Sequence, residues 1–260
     1  MSAAASAEDP VLTDAVDGLL VISINRPQAR NAVNTAVARS IAAALDRFDG
    51  DDHLTTAVLT GTGGTFCAGM DLKAFLAGER PVVPGRGFAG IAERSAEKPI
   101  IAAVEGHAVA GGCEIALACD LIVASEEARF GLPEVKRGLI AAAGGLLRLP
   151  QRIPRALAME LALTGETIDA ARAFEVGLVN RVVPAGRALE AAIELARRIS
   201  DNAPLAVRAT KRVIVESPDW PRAEAFDRQR RIAEPVRDSL DAREGALAFA
   251  QKRPAVWQAR

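Results

Sequence analysis

Two short apolar runs that lead straight into glycine clusters constrain this chain more than any other feature. Residues 56–60 (TAVLT) and 100–104 (IIAAV) have the length and β-branched content of buried strands. The first runs into 61–72 (GTGGTFCAGMDL) and the second into 106–114 (GHAVAGGCE). A third apolar run, 121–124, follows a short helix-like segment at 115–119. Strand and helix signals alternate over the first two-thirds of the chain, so the expected class is α/β.

Composition excludes several other classes. The 260 residues are 50% hydrophobic and 25% charged, which rules out a disordered or low-complexity chain. A net charge of −1 gives no general attraction to nucleic acid or to an anionic membrane, so neither is expected as a partner. Tyr is absent and aromatics are 4%, which argues against a base-stacking platform. Cys67, Cys113 and Cys119 are too few for a disulfide framework and read as small core residues in a reducing compartment. The two histidines, His53 and His107, fall in no HExxH frame and no CxxC pair exists, so no metal site is expected. His107 reads as a packed residue. The N-terminal stretch lacks the basic start and apolar core of a secretory signal, and no transmembrane helix fits the chain. The expectation is a soluble cytoplasmic protein with a flexible tail over residues 1–10.

Elsewhere the pattern predicts a hairpin from 11–16 and 19–25 around Asp17-Gly18, then a helix capped by Asn34 and running to about Phe48. Residues 77–90 (AGERPVVPGRGFAG) are rich in Pro and Gly and read as a surface loop. After Pro184 the character changes. Helices are predicted over 187–200, 204–216, 221–233 and 236–250, with no strand. The expected division is therefore a core over 11–201 and a helical C-terminal subdomain over 202–260.

The glycine clusters are not nucleotide loops. The first has Phe66 where a dinucleotide fingerprint needs its third Gly, and the second lacks the Lys-Ser/Thr of a P-loop. Taken singly, such glycines make tight turns or close packing. Taken together, they can leave backbone N–H groups unpaired at helix starts, where two converging donors would stabilise an oxyanion. The amides of Met70 and Gly111 are the natural pair. Two carboxylates accompany them. Glu114 opens an apolar helix, and Glu134 lies in the Pro-fixed turn of 130–134 (FGLPE). Glu114 reads either as a carboxylate favoured by the helix dipole or as a functional acid. Glu134 reads either as a solvated turn residue or as its partner.

These residues match a family pattern. The chain resembles the crotonase (enoyl-CoA hydratase/isomerase) superfamily through 25–32 (NRPQARNA), 61–72, 106–120 (GHAVAGGCEIALACD), 128–134 (ARFGLPE), 144–149 (GGLLRL), 170–183 (AARAFEVGLVNRVV) and 244–257 (EGALAFAQKRPAVW). It is most similar there to bacterial enoyl-CoA hydratases and carnitinyl-CoA dehydratase-like proteins. The resemblance implies a repeated β-β-α spiral core with a helical C-terminal trimerisation region, assembled as a homotrimer or a hexamer. It implies an acyl-CoA thioester substrate and no separate cofactor, coenzyme A being part of the substrate. It places the oxyanion amides on Met70 and Gly111 and the hydratase carboxylates on Glu114 and Glu134. Substrate and CoA contacts are implied for Arg30, Ala68, Met70, Asp71, Leu72, Lys73 and Gly111, with Phe249 and Lys252 of a neighbouring subunit. Hydration of an enoyl-CoA, or the reverse, is the expected reaction. Isomerase, decarboxylase or thioester hydrolase chemistry are the alternatives, and a non-catalytic acyl-CoA binder is more remote. Two departures bear on the acyl group. Ala141, Ala142 and Ala143 stand where many hydratases have Pro-Gly-Ala, and Met70 stands where Ala is common.

Overall fold

The computed structural model describes residues 9–260. Most of the expected tail lies outside them. Pro10 is already tied down, since its carbonyl accepts from the Asn25 amide at 2.8 Å.

The first half contains strands β1 (Val11–Val16), β2 (Leu19–Ile24), β3 (Thr56–Gly61), β4 (Val82–Val83), β5 (Gly87–Phe88), β6 (Ile100–Val104), β7 (His107–Val109), β8 (Leu121–Ser125) and β9 (Arg129–Gly131). Helices α1 (Thr35–Gly50), α2 (Leu72–Leu76) and α3 (Gly111–Ala118) are set among them. Then follow α4 (Gly145–Arg152), α5 (Arg155–Thr164), β10 (Thr167–Asp169), α6 (Ala170–Glu175), β11 (Arg181–Val183), α7 (Ala188–Ser200), α8 (Pro204–Glu216), α9 (Ala225–Arg237) and α10 (Leu240–Gln251).

One sheet runs in the order β1-β2-β3-β6-β8-β11, parallel throughout except for the β1–β2 hairpin. A second, small sheet runs β10-β9-β7. Successive turns of chain therefore pass from the large sheet to the small one and back through helices, which is the spiral of β-β-α units.

The central strands β3, β6 and β8 are buried at nearly every position because both faces are covered. In β6, Ile100, Ala102 and Val104 face the main core under α1 and α3. Ile101 and Ala103 face the opposite side, where Ala188, Ala192 and Ala196 of α7 close in. Small residues on α7 let its backbone approach the sheet. At the N-terminal ends of β6 and β8, Lys211 of α8 donates to Asp120 and to the Lys98 carbonyl, both at short range (2.7 and 2.9 Å), and so fastens the C-terminal helices to the sheet.

Four sequence expectations need correction. Helix α3 begins at Gly111, four residues before the apolar run, because Ala110 supplies the capping carbonyl to the Cys113 and Glu114 amides. Residues 77–90 are not a plain surface loop. They form the β4–β5 hairpin, and Arg86 is buried in an ion pair with Asp46. The last two helices break at Ser239 rather than at Pro235. The proline falls in the final turn of α9, where it removes only one hydrogen bond, and the Ser239 hydroxyl caps α10 by accepting from the Ala242 amide at 3.1 Å. His107 is exposed at the start of β7, not packed. The three cysteines are buried, as expected, and burial pushes each thiol up to about 12.

Candidate active site

The site grows from the turns that follow β3 and β7. Cys67 pairs with Ala108, its amide donating to His107 at 2.9 Å. Met70 pairs with Val33 through the Gly69 carbonyl (2.8 Å) and the Asp71 amide (2.9 Å). That pairing turns the Met70 N–H to the opposite side. The chain after β7 makes a second abrupt turn. Ala110 adopts φ 52° and ψ −131°, a region that suits glycine, while its N–H donates to Gly131 at 3.0 Å. The turn aims the Gly111 N–H away from the helix. Among the described residues, neither the Met70 nor the Gly111 amide hydrogen-bonds to a protein group.

The two turns touch. A Cβ placed on Gly69 would lie 3.0 Å from the Gly111 nitrogen, and one placed on Gly111 would lie 3.4 Å from the Gly69 α-carbon. Gly112 packs more closely still, since a Cβ there would meet the Cys67 carbonyl oxygen at 2.0 Å. Three glycines thus bring two backbone segments together and leave two donors side by side.

Glu114 stands on the next turn of α3 and is only 3% exposed. Its Oε1 accepts from the Ala143 amide at 2.7 Å and the Gly145 amide at 2.9 Å, the turn that opens α4. Burial raises its pKa, and those two amides and the charge of Arg148 oppose the rise. Glu134 sits on the single turn Pro133–Arg137, which Gly138 ends in the left-handed conformation. Its Oε2 is buried with no hydrogen-bond partner among the described residues. Burial, with the negative charge of Glu114 adding to it, raises the Glu134 carboxyl to about 7. Burial thus raises both carboxyls, and the charge of Glu114 adds to the rise at Glu134.

A cavity of about 420 Å³ opens beside Glu134, walled by Leu132, Ile140, Ala141, Leu149 and Met159. Of the three alanines flagged in the sequence, Ala141 lines this cavity, Ala142 is exposed and the Ala143 amide holds Glu114.

The remaining expected positions are partly gathered. The Ala68 amide donates to the Arg30 carbonyl at 3.0 Å, so those two lie together next to Met70. Arg30, Leu72 and Lys73 are exposed nearby. The Asp71 carboxylate is engaged within the protein, capping α2 and pairing with Arg26 at 2.9 Å. Phe249 and Lys252 are exposed on and just after α10, and neither lines the cavity.

Sequence reasoning missed Phe88, Arg148 and the amides of Ala143 and Gly145. The Phe88 ring lies directly against Gly111, since a Cβ there would come 2.6 Å from Cε1. The Gly144-Gly145 pair carried the same signal as Gly111-Gly112, a glycine-flanked helix start. Phe88 had none, hidden in a stretch that looked like loop. Among the described residues no cluster of His, Cys, Asp and Glu is arranged to hold a metal, and no helix is long and apolar enough to cross a membrane.

In class, this is an α/β spiral protein with a cleft suited to gripping a carbonyl oxygen while protons move between two neighbouring carboxyls. The pattern of the family described as enoyl-CoA hydratase/isomerase matches residues 14–260, and the chain belongs to that family. An enoyl-CoA hydratase of Mycobacterium tuberculosis is 46% identical over 252 residues, covering 93% of each chain. A carnitinyl-CoA dehydratase of Proteus mirabilis is 40% identical over 250 residues, covering 93% of this chain and 95% of the other. The crystal structure of an enoyl-CoA hydratase from Mycobacterium tuberculosis superposes with a TM-score of 0.96 at 58% identity, over 97% of this chain and 100% of that one.

Proposed function

We propose that this protein adds water across the α,β double bond of an enoyl-CoA thioester, or removes it in the reverse direction. The observation that carries this reading is that Glu134 feels the charge of Glu114 while the Met70 and Gly111 amides stand without a protein partner among the described residues. An isomerase needs one proton shuttle. A second carboxyl with its own two-amide cradle is needed only where a water must also be held and deprotonated.

The thioester oxygen accepts from the Met70 and Gly111 amides, which stabilise the enolate formed during addition. Glu114, whose charged form its two donors and Arg148 favour against the rise that burial causes, takes a proton from water as the oxygen attacks the β-carbon. Glu134, its carboxyl raised to about 7 by burial and by the charge of Glu114, gives its proton to the α-carbon. The water has then contributed a hydroxyl to one carbon and the pair a proton to the other. Proton exchange between the two carboxyls through the next water restores the starting state.

Arg30 and Lys73 are exposed cations at the mouth and suit the CoA phosphates, with Ala68, Asp71 and Leu72 shaping the backbone between them. The acyl group enters the cavity beside Glu134. The cavity wall carries no aromatic ring among its lining residues, which favours an apolar chain over a quaternary ammonium head. Phe249, 87% exposed, and Lys252 reach a site only from a neighbouring subunit, so a homotrimer or hexamer belongs to the reading. Light scattering tests the assembly.

Activity is tested by incubating the protein with crotonyl-CoA and longer enoyl-CoAs and following loss of the conjugated thioester absorbance. Turnover is expected, and Glu114→Gln and Glu134→Gln each lower kcat by about 100-fold or more. Full activity in Glu114→Gln would overturn the two-carboxyl reading.

A further inference from the structure

Arg148 occupies a place that helix electrostatics disfavour. It lies in the first turn of α4, where the helix dipole is already positive and a cation is the wrong charge. Its side chain nevertheless folds back over that terminus. The guanidinium fills the space beside Gly144, where a Cβ would come 2.1 Å from Nη1, and Gly144 has φ 93° with no side chain to interfere. Nη1 reaches the Ala143 carbonyl at 3.5 Å, and Nη2 donates to the Ala92 carbonyl at 2.6 Å. Ala143 is the residue whose amide holds Glu114. Ala92 follows the β4–β5 hairpin, and its own amide donates to the carbonyl of Phe88, the residue that lies over Gly111.

We propose that Arg148 is a positioning residue: it bolts the turn that cradles Glu114 to the hairpin that covers the oxyanion amide, and it brings a positive charge to that carboxylate. The inference rests on the hydratase reading of Glu114 and Glu134. Three positive features converge on one carboxylate: the amides of Ala143 and Gly145, the α4 dipole and the guanidinium. The charge of Arg148 lowers the Glu114 pKa against burial. The other charged groups sensed here are Glu134, whose carboxyl Glu114 itself raises, and Arg152, one turn further along α4. Arg152 is engaged elsewhere, donating to the Leu117 and Cys119 carbonyls at the end of α3.

The test is Arg148→Met beside Arg148→Lys, with two readouts. The first is the pH dependence of kcat on an enoyl-CoA. The second needs no substrate: the titration midpoint of the Glu114 carboxyl by carbon-13 NMR, its resonance assigned by loss in Glu114→Gln. Arg148→Met is expected to raise the midpoint and the acid limb by roughly half a unit or more and to lower kcat by about tenfold or more. Arg148→Lys keeps the charge and is expected to hold the midpoint near the wild-type position while kcat still falls. A folded Arg148→Met with an unmoved midpoint overturns the proposal, whatever its activity. If that variant fails to fold, Arg148→Gln is read by the same criterion. Absence of turnover in the wild type would remove the hydratase reading instead, and the NMR midpoint would still report on Arg148.

Discussion

The Gly145 amide donates to Glu114 Oε1 at 2.9 Å, and a Cβ at position 145 would lie 3.0 Å from Glu114 Cγ and 3.1 Å from the same oxygen. The glycine is thus both donor and clearance for the carboxylate. Gly145→Ala forces Glu114 to shift by a few tenths of an ångström inside a closed pocket. The expected result is a loss of about tenfold or more in kcat with little change in KM, because the displaced group acts on the water and not on the CoA. Steady-state kinetics on an enoyl-CoA check this, and wild-type kcat would show that Glu114 tolerates the movement.

Gly69→Ala tests the other half of the site. Gly69 has φ 99°, and its missing side chain would sit 3.0 Å from the Gly111 nitrogen. A methyl group there enters the space that the carbonyl oxygen needs. A fall in kcat of about 100-fold or more is expected, comparable to losing an oxyanion donor. Binding of a non-reactive acyl-CoA, measured by calorimetry, should fall far less.

What the sequence disclosed and what it hid follow a physical division. The central strands of the large sheet were legible because burial on both faces makes them continuous apolar runs, as in Ile100–Val104, whereas its three-residue edge strand Arg181–Val183 was not. The small sheet was not, since His107–Val109, Arg129–Gly131 and Thr167–Asp169 are three residues each and too short to show a period. Helices α4 and α5 were not predicted, and both carry a proline that disfavours helix interiors, Pro150 inside α4 and Pro154 capping α5. Glu114 could be singled out because a local signal, glycines before an apolar helix, surrounds it. The Arg148–Ala92 contact spans 56 residues of chain and involves a carbonyl, so no side-chain pattern announces it.

Lys98 offers a stability test away from the chemistry. It is 1% exposed, and Nζ donates to the Phe48 and Asp51 carbonyls at 2.7 and 2.6 Å, satisfying the end of α1. Lys98→Met leaves the buried Phe48 carbonyl without this donor, while the Asp51 carbonyl keeps only the Leu54 amide at 3.0 Å. A destabilisation of about 1–3 kcal/mol is expected in denaturant unfolding, with kcat unchanged.

Glu134 also sets a pH slope on stability. Its carboxyl moves from an ordinary 4.5 to about 7 in the folded protein, so the native state holds the proton more tightly than the unfolded chain. That contribution is fully present below pH 4.5 and is lost as pH rises through 7. Discounted for the partial exposure of the group, it amounts to roughly 1 kcal/mol, or about 2–4 °C in Tm. The Tm of the wild type relative to Glu134→Gln should therefore decline across that window, and a constant difference would show that the carboxyl is not raised.

The same carboxyl bears on the rate in the proposed mechanism. There hydration starts with the shared proton on Glu134, and dehydration starts with it on Glu114. Both states carry one proton on the pair, and the overall reaction neither takes up nor releases one. The pH profile of kcat/KM must then have the same bell shape in both directions, reporting the macroscopic titration of the pair. Its alkaline limb should fall about tenfold per pH unit above the Glu134 value of about 7, where the last shared proton is lost. Rates measured with an enoyl-CoA and with the matching 3-hydroxyacyl-CoA across roughly pH 5–9 check the coincidence. An alkaline limb absent from both directions would mean that Glu134 is not the proton donor, and Glu134→Gln should remove that limb along with most of the activity.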